Sequence, residues 1–122
     1  MKIKLIKRKG SIVRKISETY FISNMLTKNI SKKLSLAIGN AKSHFETTKN
    51  IKSDRVYYVL EGELIVKEDD KSITAKRGDA IFIPANIQYQ FKGTFKVIII
   101  NSPSFNQKNE KILKLGDANG KS

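Results

Sequence analysis

The side chains here that could do chemistry are few, and they come in pairs. His44, the only histidine, stands two residues before Glu46; Arg55 stands two before Tyr57, and Tyr89 two before Phe91. Residues two apart on a β-strand share a face, so each pair would present both members to the same side. An imidazole titrates near neutrality and can give or take a proton. A guanidinium stays protonated, has no acceptor, and offers a planar fork that suits a carboxylate or phosphate. Tyr57, Tyr89 and Phe91 would supply wall surface and, from the two tyrosines, hydroxyls. Such a set suits a pocket for a small polar or anionic molecule.

Composition narrows the rest. The chain has 122 residues and no cysteine, so disulfides, thiol nucleophiles and cysteine-ligated metals are excluded. No apolar run approaches the roughly 20 residues of a membrane span, and the basic N-terminus lacks a signal-peptide core. A soluble protein of the cytoplasm, with no membrane partner, is expected. The net charge of +13 invites a nucleic-acid reading, but only four of the 24 basic residues are arginine. Base and phosphate recognition favours arginine's fork. The lysines are scattered except for a block over residues 2–15, which carries about half the excess charge. Nucleic acid is therefore not the expected partner. Nucleic acid or an acidic partner held by the basic arm is the weakest alternative, and steep salt dependence of binding would reveal it.

The elements that must position the pairs read as short β-branched and aromatic runs between turn residues, the pattern of an all-β sandwich or barrel. Strands are expected over 2–7, 12–15, 19–23, 34–38, 42–47, 56–60, 63–67, 71–75, 80–83, 88–91 and 95–101. Turns are expected at Gly10, Gly39-Asn40, Glu61-Gly62, Asp69-Asp70, Gly78-Asp79, Pro84-Ala85-Asn86 and Lys92-Gly93. One short helical turn is expected over 109–115, docked outside the barrel by Ile112, Leu113 and Leu115. The tail, 116–122, has nothing to bury and is expected to be disordered.

Two segments carry a family resemblance. The first holds Gly39, His44 and Glu46, then Arg55-Val-Tyr-Tyr-Val-Leu-Glu-Gly62. The second is Gly78-Asp-Ala-Ile-Phe-Ile-Pro84-Ala-Asn86, running on through Tyr89 to Phe91. Together they resemble the cupin motifs G-x5-H-x-H-x3-4-E-x6-G and G-x5-P-x-G-x2-H-x3-N. The resemblance implies an all-β double-stranded β-helix, an RmlC-like jelly roll. It implies a single domain over 1–122, with the barrel core at about 34–105 and an N-terminal arm over 1–33. It also implies a homodimer, with N-terminal strands packing on a partner's sheet.

In cupins, three histidines and a glutamate usually hold a divalent metal. Carried over by position, the first histidine is His44, while the second falls on Glu46, the glutamate on Arg55 and the third histidine on Tyr89. Asn86 stands in for a turn glycine, which a turn can accept. Arg55 cannot ligate a metal, and His44 with Glu46 falls short of the three protein ligands that iron or zinc sites draw on. No metal and no cofactor are expected. In their place stand either a vestigial Glu46–Arg55 ion pair or a ligand pocket. That pocket would be formed by His44, Glu46, Arg55, Tyr57, Tyr89 and Phe91, unless Arg55 points outward. The leading expectation is a metal-independent cupin that binds a sugar, sugar phosphate or keto acid. The alternative is an isomerase or epimerase, for which metal-free relatives imply His44 as base and Tyr89 as acid. A metal-dependent dioxygenase comes after both.

Overall fold

A computed structural model describes residues 2–118. Eight strands follow in order: β1 Ile12–Ser17, β2 Tyr20–Leu26, β3 Ser35–Asn50, β4 Asp54–Glu68, β5 Lys71–Lys76, β6 Ala80–Ile83, β7 Tyr89–Ser102 and β8 Glu110–Asp117. All pairings are antiparallel, in the order β1-β2-β3-β7-β4-β5, with β6 also on β4 and β8 also on β3. The three long strands serve two sheets. The first half of β3 pairs with β2 and its second half with β8; the first half of β4 pairs with β6 and its second half with β5. β7 runs beside both throughout, and the result is an all-β jelly roll closed on a shared core.

The long strands explain three expected turns that do not exist. Gly39-Asn40, Glu61-Gly62 and Lys92-Gly93 lie inside continuous strands. Glycine is needed there for bending and close approach rather than for chain reversal. Gly62 has φ +78°, and a Cβ on it would meet the Thr94 carbonyl oxygen at 2.1 Å. Opposite it, Gly93 has φ +134°, and its Cβ would meet the Glu63 carbonyl oxygen at 2.4 Å.

Bulges set which residues face inward. On β3 the buried positions are Ser35, Gly39 and Ala41, then His44, Glu46, Thr48 and Asn50, so the buried parity changes from odd to even. The change coincides with a register shift between Ala41 and His44, where Ser43 takes φ +49°. A one-residue bulge turns the following side chains to the other face. Without it, His44 and Glu46 would face solvent. On β4 the same device separates buried Tyr57 and Val59 from buried Leu64 and Val66. β7 keeps one parity from Tyr89 through Phe91, Phe95, Val97 and Ile99 to Asn101. Those side chains form the spine of the core.

Other expectations need correction at the two ends. Residues 2–7 form no strand, and Ile3 and Leu5 are exposed. The segment expected as a helical turn is mostly β8; the helical turn there is a short 3-10 turn at Gln107–Asn109, which the Asn106 side chain caps. Gly116 and Asp117, expected in a disordered tail, end β8, while 119–122 lie outside the described residues. Asn86 takes φ +65°, as a stand-in for a turn glycine should. Among the described residues, no helix is long and apolar enough to cross a membrane.

Candidate functional site

Arg55, on β4, faces inward and is enclosed. Its Nε donates to Asn101 Oδ1 at 2.8 Å, and Asn101 is its register partner on β7. Its two terminal nitrogens donate to the Glu110 carboxylate at 3.0 and 2.8 Å, a two-pronged pair. One of them also donates to Tyr89 Oη at 2.9 Å, and the Tyr57 and Tyr89 hydroxyls lie 2.6 Å apart. Glu110 accepts further from Thr48 at 2.6 Å and Asn50 at 2.9 Å. Burial alone would raise the Glu110 carboxyl, but the Arg55 charge and these hydrogen bonds outweigh it and hold it at about 2. Burial works against the Arg55 charge too, and the facing oxygens of Tyr89, Tyr57 and Glu110 more than offset it.

The expected Glu46–Arg55 pair is therefore not formed. Glu110 takes Arg55, and it was out of reach of sequence reasoning. β8 is poorly buried and shows no apolar alternation, so nothing marked Glu110 as an inward residue at a strand start.

Glu46 pairs instead with its own strand neighbour. His44 Nε2 lies 2.9 Å from Glu46 Oε1, and His44 Nδ1 lies 2.8 Å from Thr19 Oγ1. The network assigns the proton to Nε2, which then donates to the carboxylate while Nδ1 accepts from the threonine hydroxyl. The ring of Tyr20 stacks on His44 with centroids 4.6 Å apart. Burial pushes the Glu46 carboxyl above its usual range, against the pull of the His44 hydrogen bond.

A cavity of about 270 Å³ opens over this pair. Glu46, Arg55, Tyr57 and Phe91 line it; His44 and Tyr89 do not. His44 reaches the cavity only through Glu46, and Tyr89 stands behind Arg55 and Tyr57. The remaining wall includes Tyr20, Asn101 and, from β1, Arg14. Arg14 drew notice in the sequence only as part of a basic block, although its alternation with Ile16 on a short strand could have marked it as facing inward.

The metal-holding arrangement of cupins does not fit these residues. His44 Nε2 is committed to Glu46, a guanidinium stands at the glutamate position, and its carboxylate partner is saturated by other donors. Among the described residues no three histidine, cysteine or acidic side chains gather at one point. Asp54 offers no substitute: it is exposed and accepts from the Ala85 amide at 2.9 Å.

Fold and site together define a cupin-type barrel whose motif positions carry an arginine cage and a His–Glu pair. Residues 2–105 match the family described as ethanolamine utilisation protein EutQ, and the chain belongs to that family. It is 26% identical over 113 residues to the uncharacterized protein MJ1618 of Methanocaldococcus jannaschii, covering 89% of this chain and 86% of that one. Among solved structures it is similar to Pac13, a nucleoside dehydratase, at 16% identity and a TM-score of 0.82, over 99% of this chain and 98% of Pac13. Streptomyces Pac13 variants have been solved with uridine. The EutQ protein of Salmonella typhimurium LT2 is 24% identical with a TM-score of 0.64, over 70% of this chain and 71% of that one. At these identities the structural likeness speaks to the fold.

Proposed function

We propose that this chain binds a small polar molecule, the size of a sugar or nucleoside, in the cavity of its barrel. One observation carries the reading. Glu46, a carboxylate with its backing filled by His44, opens onto a cavity of about 270 Å³. A buried carboxylate without a full set of donors is costly, and a ligand hydroxyl or N–H donating to Glu46 would offset that cost. The volume sits just below the ~300–1,000 Å³ typical of drug-sized ligands, which favours a compact molecule. The likeness to Pac13, seen with uridine, supports the same size class. Calorimetry with ribose, glucose and uridine tests it. Binding that weakens roughly tenfold or more in Glu46→Gln is expected, as for loss of one hydrogen bond to a charged group. Equal affinity in that variant would remove the reading.

A second reading, acid–base catalysis on the bound molecule, is supported by the Thr19–His44–Glu46 line. A carboxyl raised by burial and backed by an imidazole can take a proton and return it. In this version Glu46 replaces His44 and Tyr89 as the group meeting the substrate, and His44 is a positioning residue. Exchange of a ligand C–H proton with deuterated water, lost in Glu46→Gln, is the expected signature. A bound ligand whose C–H protons never exchange leaves binding alone.

A further inference from the structure

Arg14 is the counterpart that Arg55 is not. It alternates with Ile16 toward the cavity from the edge strand β1, half-buried, with its guanidinium carbon 4.6 Å over the Phe105 ring. Its Nε is buried and meets no hydrogen-bond acceptor among the described residues. Burial works against its charge. The carboxylates within electrostatic reach are both engaged, Glu110 by Arg55 and Glu46 by His44. A guanidinium cannot escape the difficulty by losing its proton, so a buried and unanswered donor on it calls for an acceptor from outside the chain.

We propose that Arg14 anchors an anionic group, carboxylate or phosphate, on the ligand of this cavity, and that Glu46 takes a hydroxyl of the same molecule. The ligand class is then a sugar acid or sugar phosphate rather than a free sugar. This rests on the cavity being a ligand site, and it moves the role of anion receptor from Arg55 to a residue on another strand. Arg55 also lines the cavity, but each of its nitrogens already donates to a neighbour's oxygen, whereas Arg14 has an aromatic face on one side and cavity on the other. The remaining cation on the wall, Lys28, is exposed and can stay hydrated.

Matched pairs separate the possibilities: ribose against ribose 5-phosphate, and glucose against glucuronate, titrated calorimetrically into the full chain. The charged member of at least one pair is expected to bind roughly ten- to a hundredfold more tightly, the gain of one or two charge-assisted hydrogen bonds. Which pair shows the gain tells phosphate from carboxylate. Arg14→Gln should abolish the gain, and Arg14→Lys should restore it in part. Lys28→Gln should leave it intact. If neutral sugars bind and charged ones gain nothing, or the gain survives in Arg14→Gln, the anchor is wrong and the pocket stands. If no member of either pair binds at millimolar concentration, the pocket and its anchor fall together.

Discussion

Two carboxylates buried in one barrel are pushed in opposite directions. Glu110 is held far below its ordinary value, while Glu46 is raised above it. The difference lies in partners rather than depth, for both side chains are at least nine-tenths buried. Glu110 receives two donors from Arg55, one from Thr48 and one from Asn50. Among the described residues Glu46 has only the imidazole of His44. Both line the same cavity, but the Arg55–Glu110 pair is finished and no longer needs a ligand, whereas Glu46 keeps spare acceptor capacity toward it. Where environments drive like groups apart, the poorly satisfied group is the one poised to give or take a proton.

The comparison breaks first if Glu110 is not structural. Glu110→Gln leaves the Arg55 charge buried without its counter-ion and is expected to cost about 3–5 kcal/mol in chemical denaturation. Glu46→Gln keeps a neutral acceptor for His44 and should cost under about 1 kcal/mol. Replacing the pair together, Arg55→Met with Glu110→Leu, should recover much of the loss, because neither charge is then stranded. A Glu110→Gln protein as stable as Glu46→Gln would erase the distinction between the two carboxylates.

Acid sharpens the contrast, with somewhat smaller effect. Glu110 has a folded value of about 2 against an unfolded one of 4.5, so between them the unfolded chain binds more protons. Its contribution is complete above about pH 4.5 and is lost as pH falls toward 2, amounting to about 3 kcal/mol. Glu46 runs the other way. Its folded carboxyl is raised, so the folded chain binds more protons above pH 4.5 and acidification there adds stability. Stability of the native chain is therefore expected to rise slightly as pH falls toward 4.5 and then drop. Glu46→Gln should remove the rise and leave the drop. A stability curve flat from pH 5 to pH 2 would contradict the Glu110 assignment.

Much of the barrel was legible because turn residues and β-branched runs are local signals. The limits were equally physical. Gly39, Gly62 and Gly93 look the same in sequence whether a chain reverses or two strands bend past each other, so three long strands read as six short ones. The motif positions His44, Glu46, Arg55 and Tyr89 all turn inward and are brought together, but their pairing is not a local property. It depends on the bulge at Ser43 and on Glu110, which arrives from a strand with no apolar alternation to mark it. Arg14 was hidden by its surroundings in the chain, since six basic neighbours gave it the look of a solvated charge.

The smallest effect tests the line behind Glu46. With Nε2–H donating to Glu46, Nδ1 must accept, and Thr19 Oγ1 at 2.8 Å is the donor. Thr19→Val removes that donor at nearly constant volume and should cost about 1 kcal/mol, the usual net worth of one hydrogen bond. Because His44 is the only histidine, its ring nitrogens give an unambiguous pair of NMR signals. In the native chain the protonated nitrogen is expected to be Nε2, with Nδ1 bare and shifted by its hydrogen bond. In Thr19→Val the Nδ1 signal should move toward that of a free imine nitrogen while Nε2–H stays in place. If instead Nδ1 carries the proton, His44 donates to Thr19 and must accept at Nε2 from a protonated Glu46. The carboxyl's one proton would then be spent on His44, leaving only a weakly basic carbonyl oxygen toward the cavity, and Glu46 could bind a donor there but not serve as the base.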